Sequence, residues 1–281
     1  MNHNLFRLED IERWEQYLRS EERAPGTIEK YLRDVRAFAA WLGEDGTVTK
    51  ERAAEWKESL LAANQSPATV NSKLAALNNL FRFLGWDIRL RFLKIQRRLF
   101  RDPRRELARA DYDSLVQEAG RAGKERLALL MEAVCSTGIR VSEVKYLTVE
   151  AVRMGRVEIS LKGKIREILL PGKLCRKLLK YSRHKKIASG EIFLTKSGNS
   201  LSRRQIWAEM KQLCKAAGVD PGKVYPHNLR HLFARTFYRA CRDIAKLADV
   251  LGHSSIETTR IYLTTTGADH LRQLDRLGLV S

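Results

Sequence analysis

Two short segments of the chain combine residue types that can bind a phosphate group. In the stretch 137–143 (TGIRVSE), Arg140 lies two positions after Gly138, where a helix is expected to break, and Glu143 lies three positions after Arg140. An arginine held by a glutamate is a rigid, two-pronged phosphate ligand. In the sequence HNLRH, His227 and Arg230 are three apart and would share one face of a helix, where an imidazole could move a proton beside a guanidinium. Taken singly, each pair is equally compatible with a surface salt bridge or an ordinary helix start.

A third segment, nearer the C-terminus, holds another histidine and a tyrosine. The sequence LGHSS contains His253, and Tyr262 follows nine residues later. A lone tyrosine is usually structural, so this spacing by itself decides nothing. Together with His227 and His231, His253 could indicate a metal site, but no acidic or thiol cluster accompanies the three. We therefore predict no metal and no cofactor.

The apolar spacing of the first 90 residues predicts four helices. They cover residues 8–19, 28–42, 50–63 and 67–84, each with apolar side chains repeating at three to four positions. Thr49, Pro67 and flanking glycines are typical of helix ends. The aromatic residues at this spacing are expected in the core: Trp14, Tyr31, Phe38, Trp41, Trp56 and Phe81.

The remainder of the chain is predicted to be mostly helical with one β element. Helices are expected on both sides of Gly138 and over residues 172–182, 202–217, 227–240, 242–251 and 268–277. The stretch VEISLKGKIREILLP alternates β-branched and polar residues around a Lys-Gly-Lys turn, which predicts a hairpin with Lys162 at its tip. The fold class is thus mainly α with a small β-hairpin.

The charge of the chain is large and unevenly distributed. The 281 residues contain 52 Lys and Arg against 33 Asp and Glu, a net charge of +19. Residues 1–88 carry −2, residues 89–109 carry +7 and residues 110–281 carry +14. This excess predicts an anionic partner, nucleic acid before an anionic membrane surface. Apolar runs are too short for a membrane span, and four widely spaced cysteines favour a reducing cytoplasm over disulfides or zinc.

Order and spacing of these motifs resemble those of the tyrosine recombinase (phage integrase) family. The series TGIRVSE, LKG in a hairpin, HNLRH, LGH and Tyr262 occurs in that family's register, and the size is similar to the compact Xer-like and mobile-element integrases. The resemblance covers the whole chain. It implies a four-helix, SAM-like core-binding domain at residues 1–96, a basic linker at 97–108, a mixed α/β catalytic domain at 109–265 and a tail helix for subunit exchange at 266–281.

The resemblance also assigns roles to individual residues. Arg140 and Arg230 would bind the scissile phosphate, His253 would donate a further hydrogen bond, and Tyr262 would be the nucleophile. Glu143 would support Arg140. His227 would assist proton transfer at the tyrosine, and Lys162 would protonate the leaving oxygen as general acid, with Lys164 as the alternative lysine. Further basic residues are predicted to contact DNA: Arg33, Arg36, Lys73, Arg82, Arg97, Arg98, Arg101, Arg104 and Arg105.

The expected enzyme is a site-specific DNA recombinase that cuts and rejoins double-stranded DNA without metal or ATP, through a 3′-phosphotyrosine. It would act in DNA integration and excision or in resolution, as a homo-oligomer, a tetramer on two duplexes. An accessory protein is left open, and no membrane partner is expected. Two alternatives stay open: strand passage of the type IB topoisomerase kind, and a catalytically silent sequence-specific DNA-binding protein.

Overall fold

The computed structural model describes residues 4–43, 45–95, 102–161, 164–263 and 267–278. The chain divides into two compact units, Met1–Arg97 and Arg98–Ser281. Each unit has a hydrophobic core of its own, and they are called the front unit and the back unit below. Among the described residues, no helix is both long enough and apolar enough to cross a membrane.

The front unit contains the four predicted helices. They are α1 (Leu8–Ser20), α2 (Pro25–Leu42), α3 (Lys50–Ala62) and α4 (Pro67–Phe83). The hydroxyls of Thr49 and Ser66 cap α3 and α4, each accepting a backbone N–H at 3.2 Å. One element was not predicted: β1 (Asn4–Leu5) pairs antiparallel with β2 (Thr47–Val48). Strands of two residues are too short to show a period in sequence.

Aromatic side chains fill the core of the front unit. Trp14, Phe38, Trp56 and Phe81 are at most 2% exposed, as predicted from their helical spacing. The prediction for Trp41 was wrong, because this ring remains 37% exposed. Trp41 lies in the last turn of α2 and stacks on Phe38 with ring centroids 6.2 Å apart, without being enclosed.

An extended segment follows α4 and is fastened along that helix. The side-chain amide of Asn78 donates to the Leu90 carbonyl at 2.9 Å and accepts the Leu90 N–H at 2.8 Å. Asn71, two helical turns earlier, makes the same pair of bonds with the backbone of Leu93, at 2.9 and 2.7 Å. Leu90 is buried while Arg91 is exposed, so the segment presents part of the basic stretch to solvent.

The back unit is built from helices and one hairpin. The helices are α5 (Arg109–Arg121), α6 (Glu125–Thr137), α7 (Val149–Met154), α8 (Gly172–His184), α9 (Arg203–Ala217), α10 (Pro226–Cys241), α11 (Ile244–Leu251), α12 (Ile256–Arg260) and α13 (Gly267–Asp275). The predicted second helix after Gly138 is a 3₁₀ segment, Val141–Tyr146. Helices α5, α7 and α12 were not predicted. Helices α7 and α12 are only six and five residues long, whereas α5 carries an apolar repeat at Tyr112, Leu115, Val116 and Ala119 that the prediction did not include.

The predicted hairpin is present in the back unit. Strand β3 (Arg156–Leu161) pairs antiparallel with β4 (Lys164–Leu169), in a register that runs from Arg156 opposite Leu169 to Leu161 opposite Lys164. Val157, Ile159 and Ile168 are buried on its inner face. The tip, residues 162 and 163, lies outside the described residues.

Helix α6 is central in the back unit and packs against α5, α8, α9 and α10. The chain segment before α5 is anchored to α10. The Asn228 amide donates to the Arg105 carbonyl at 2.8 Å, and Arg235 donates to the Leu107 carbonyl at 2.8 Å. Helix α10 also bonds to the ends of two other helices, since Arg230 donates to carbonyls at the C-terminus of α6 and at the end of α11. The site described next lies where these three helices meet.

Candidate active site

Arg230 is the most firmly held of the predicted site residues. It lies one turn into α10, is 2% exposed, and donates to the carbonyls of Gly138 at the end of α6 and of Leu251 at the end of α11, the latter at 2.7 Å. Burial lowers the pKa of Arg230, an effect that the nearby Tyr262 opposes. One guanidinium therefore joins three helices and faces the tyrosine.

Arg140 and Glu143 pair immediately after α6. Nη1 of Arg140 donates to Glu143 Oε1 at 2.8 Å, and the Arg140 backbone N–H donates to Oε2 at 2.9 Å. Nη2 reaches the Gly252 carbonyl at 3.3 Å. The glutamate side chain is 2% exposed and the arginine side chain 40%. The carboxylate is thus a buried anchor, and the guanidinium keeps a free side for a ligand.

His253 follows α11 and is bound on both ring nitrogens. Nε2 lies 3.0 Å from Arg230 Nη2, and Nδ1 lies 2.8 Å from the hydroxyl of the fully buried Thr259. Because an arginine only donates, Nε2 accepts this bond and Nδ1–H points to Thr259. Burial and the nearby arginines lower the pKa of His253 to about 4, so the ring is neutral at neutral pH.

Tyr262 follows α12 and is 4% exposed. Three imidazoles surround its ring. His231 contacts it edge-on with centroids 4.4 Å apart, His253 stacks at 5.8 Å with an interplanar angle of 11°, and His227 lies at 6.3 Å. These contacts hold the phenol in one orientation beside Arg230.

The two histidines of α10 are also uncharged at neutral pH. Burial lowers the pKa of His227, with a further contribution from Arg230 and Arg140. Burial lowers the pKa of His231 to about 3. The rings of His227 and His231 contact each other with centroids 4.6 Å apart. His227 is therefore in the form that can accept a proton.

These residues line one cleft of about 500 Å³. Its walls are formed by Ile139, Arg140, Val141, Ser142, Arg203, Tyr225, Pro226, His227, Arg230, His253, Thr258, Ile261 and Tyr262. Five of the six predicted catalytic residues thus meet in one place, although up to 122 positions separate them in the sequence. The sixth, Lys162, lies outside the described residues. The alternative Lys164 is the first residue of β4, and its side chain is also outside the description.

The predicted DNA-contact residues occupy several places. Arg33 and Lys73 line a groove between α2 and α4, together with Lys30. Arg82 lines a separate groove with Arg89. Others are simply exposed: Arg36, Arg104 and Arg105. Arg97, Arg98 and Arg101 lie outside the described residues.

Two residues beside the cleft were not predicted as site residues. His231 contacts the tyrosine ring, and its only signal in the sequence is its place at the end of HNLRH. Arg166 on β4 makes an ion pair with Glu143 at 3.2 Å, a contact that spans 23 positions and leaves no local pattern. Within the described part of the chain, no three His, Cys, Asp or Glu residues are grouped to hold a metal ion.

Comparison with known families confirms the resemblance. Residues 105–268 match the phage integrase family, and residues 11–87 match the phage integrase N-terminal SAM-like domain. The chain therefore belongs to the phage integrase family, and it is a tyrosine-type site-specific DNA recombinase. It is 30% identical to tyrosine recombinase XerA of Thermococcus kodakarensis, over 94% of this chain and 93% of the relative. It is also 30% identical to tyrosine recombinase XerD of Xanthomonas axonopodis pv. citri, over 88% and 89%.

The fold agrees with this assignment. A lambda integrase fragment (residues 75–356 of that protein), solved as a dimer bound to a COC′ core site, superimposes with a TM-score of 0.71. The match covers 90% of this chain and 94% of the integrase fragment, at 19% sequence identity. The architecture predicted from the sequence, a SAM-like helical domain and a mixed catalytic domain, is thus confirmed.

Proposed function

We propose that Tyr262 attacks the scissile phosphate of a DNA strand and forms a 3′-phosphotyrosine, releasing a 5′-hydroxyl. The observation that supports this most directly is the convergence of Tyr262, Arg140, Arg230 and two imidazoles in one cleft. The ester conserves the energy of the phosphodiester bond. Attack by a 5′-hydroxyl from a second duplex then reverses the step, so cutting and joining need no ATP.

The two arginines stabilise the transition state. Charge accumulates on the non-bridging oxygens of the pentavalent phosphorus, and fixed donors aimed at that charge lower the barrier without reorganising. Arg230 is fixed by two carbonyls and Arg140 by Glu143. His253 adds a third donor once its Nε2 carries a proton. Thr259 can support this change because its hydroxyl can either accept from Nδ1 or donate to it.

Two proton transfers accompany cleavage. The neutral imidazole of His227 accepts the phenolic proton, since a tyrosine with an ordinary pKa of about 10 is a poor nucleophile while protonated. The leaving 5′-oxygen takes a proton from a lysine of the hairpin. We assign this role to Lys162, with Lys164 as the alternative, because in the sequence Lys162 directly follows the last residue of β3 and Lys164 is the first residue of β4.

A trapped intermediate tests the nucleophile. The DNA duplex is first selected for binding from a random library. A series of substrates is then made from it, each with a nick close to a different position. Where cleavage occurs next to the nick, the short fragment that carries the 5′-hydroxyl diffuses away, so the strand cannot be religated. Wild-type protein should accumulate a covalent DNA adduct on one such substrate, and Tyr262→Phe should not. Tyr238→Phe, a change on α10 away from the cleft lining, is the matched control and should still form the adduct. An adduct that persists in Tyr262→Phe would refute the assignment.

We further propose that the protein acts as a tetramer on two duplexes, with α13 docking on a neighbouring subunit. Leu271 and Leu274 on α13 and Leu277 in the turn after it are 60%, 48% and 59% exposed, so this segment offers an apolar surface. A chain without residues 266–281 should bind a single duplex normally but fail to pair two duplexes in a gel-shift assay. Normal recombination by the shortened chain would refute the proposed docking of α13.

The DNA surface is proposed to include basic residues of the front unit and the linker. Arg33 and Lys73 share one groove, and the extended segment after α4 exposes further arginines. Such contacts position the duplex without reading its sequence. We place the reaction in the cytoplasm and leave an accessory protein open. A silent DNA-binding protein is disfavoured because five of the predicted catalytic residues line one cleft, and the adduct experiment decides that point as well.

A further inference from the structure

Arg166 is a buried charge that the proposed chemistry does not use. It lies on β4 with its side chain 12% exposed and pairs with Glu143, Nη1 to Oε2, at 3.2 Å. Nη2 donates to the Val250 carbonyl at 3.2 Å. Nε is buried and has no hydrogen-bond partner among the described residues. The side chain therefore gives up much of its hydration for an incomplete set of partners.

Such a residue is difficult to explain by stability alone. Burying an ion pair costs several kcal/mol per charge, and an apolar side chain of similar size is often at least as stable. Burial lowers the pKa of Arg166 to about 10, so the charge is retained at neutral pH. An arginine at this position is better explained by what it holds in place.

Glu143 is shared between two arginines. Arg140 binds it at 2.8 Å and Arg166 at 3.2 Å, and the carboxylate itself is 2% exposed. With both guanidiniums in place, the two carboxylate oxygens are fixed, and Arg140 is aimed in one direction. Without Arg166, the carboxylate would keep a single charged partner and could rotate about its side-chain bonds.

Arg166 also packs beneath the turn that carries His253. A Cβ built on Gly252 would lie 2.3 Å from Arg166 Cδ and 2.8 Å from Nε, so only a glycine lets the turn approach this closely. The same turn supplies the Val250 carbonyl to Arg166 and the Gly252 carbonyl to Arg140. One side chain of the hairpin therefore touches the supports of both Arg140 and His253.

We propose that Arg166 is a positioning residue that aims Arg140 through Glu143 and seats His253 through the 250–252 turn, without touching the DNA itself. This inference rests on the proposed function, since Arg140 and His253 matter only if they bind the scissile phosphate. In this role Arg166 contributes indirectly to stabilising the negative charge on the non-bridging oxygens, because it holds the groups that bind them. It does not make Arg166 part of the proton transfer to the leaving oxygen.

Single-turnover cleavage of the nicked duplex tests the proposal. Arg166→Met keeps an unbranched apolar stem of about the length of the arginine side chain up to Nε and removes the charged guanidinium group. We expect cleavage to slow by about tenfold to 100-fold, the range for losing an orienting partner of a catalytic group, with duplex affinity within about twofold of wild type. Arg166→Lys keeps a point charge but cannot bind Glu143 and Val250 together. Its cleavage rate should therefore lie between those of wild type and Arg166→Met.

Arg156→Met is the matched control. Arg156 lies on the other strand of the same hairpin, is half exposed and pairs with Glu167 at 3.5 Å. Its removal should leave the cleavage rate unchanged. An equal loss in both variants, or no loss in Arg166→Met, would overturn the proposal. Thermal melting of each variant shows whether a lower cleavage rate is due to unfolding. If Arg166→Met does not fold, the cleavage rate of Arg166→Lys tests the proposal instead.

A substrate with sulfur at the 5′-bridging position separates positioning from protonation. A thiolate leaves without a proton, so this substrate should largely rescue the double variant Lys162→Ala, Lys164→Ala. The defect of Arg166→Met should persist on the same substrate, and rescue there would overturn the proposal. Failure of wild-type protein to form any adduct, or an adduct with Tyr262→Phe, would instead refute the proposed function. The two failures are thus distinguishable.

Discussion

Replacing Gly138 with alanine should destabilise the back unit and disturb the cleft together. Gly138 ends α6 with φ of +67°, and a Cβ there would lie 2.5 and 2.6 Å from two ring carbons of Phe233 and 3.1 Å from Leu251. Its carbonyl accepts a hydrogen bond from Arg230. The backbone of Gly138 therefore has no room for a side chain and cannot move without releasing a catalytic arginine.

The magnitude follows from two separate costs. An alanine in the left-handed region costs about 1–2 kcal/mol. Forcing a methyl group into a filled space costs about 1–3 kcal/mol more. We expect Gly138→Ala to lower the free energy of unfolding by about 2–5 kcal/mol in all.

Gly155 offers a matched control in the same unit. It ends α7 with φ of +73°, and a Cβ there would meet nothing within 4 Å. Gly155→Ala should therefore show the backbone cost alone, about 1–2 kcal/mol. The difference between the two variants isolates the steric cost at Gly138.

The assay is urea unfolding of the full chain, followed by circular dichroism. Both glycines lie in the back unit, so both variants report on the same transition. Cleavage of the nicked duplex is measured in parallel, under conditions where each variant is folded. Gly138→Ala should cleave at least tenfold more slowly than Gly155→Ala, because Arg230 loses a fixed partner. Equal stabilities and equal rates for the two variants would refute this reasoning.

Three further predictions concern other parts of the chain. Burial lowers the pKa of His231 to about 3, so as the pH falls this histidine binds a proton in the unfolded chain before it does in the folded chain. The free energy of unfolding should therefore decrease between about pH 6.5 and pH 3, by at most about 1.4 kcal/mol per pH unit for this group. In thermal melts between pH 7 and pH 4, His231→Phe should reduce the fall of the melting temperature with decreasing pH. His184→Gln, at an exposed histidine, should leave that fall unchanged. Replacing Asn71 and Asn78 by alanine removes four hydrogen bonds to the extended segment. Trypsin should then cut that segment faster, and unchanged digestion would contradict the role assigned to the two amides. Duplex affinity should fall steeply with salt, and Arg33→Ala should reduce the slope of log affinity against log salt by about one. An unaltered slope would remove Arg33 from the DNA surface.

Local patterns explain why most helices could be predicted. Residues 67–84 combine a capping serine, a proline at the first helical position and an apolar repeat, and these signals act within one turn. Helix α5 was missed although Tyr112, Leu115, Val116 and Ala119 repeat at helical spacing and pack into the core of the back unit. Its period was readable in the sequence, and the prediction did not use it. Trp41 has the spacing of a core residue, but it lies in the last turn of α2 and remains 37% exposed. The helical spacing of apolar residues alone therefore did not predict its burial.

The motifs of the cleft could also be found in the sequence. TGIRVSE, HNLRH and LGH with Tyr262 nine residues later have an order and spacing that depend on chemistry shared by a whole family. Composition added only that the partner is anionic. The sequence by itself therefore determined the family, the fold class and five of the residues that line the cleft.

Only the tertiary structure decided how those residues support one another. Arg166 reaches Glu143 across 23 positions and Val250 across 84, and Arg230 reaches Gly138 across 92. His231 meets Tyr262 because the segment after α12 lies against α10 in the folded chain, not because of any pattern near either residue. Contacts of this kind arise where helices and the hairpin of the back unit meet. No local period encodes them, because each depends on where several elements meet in space.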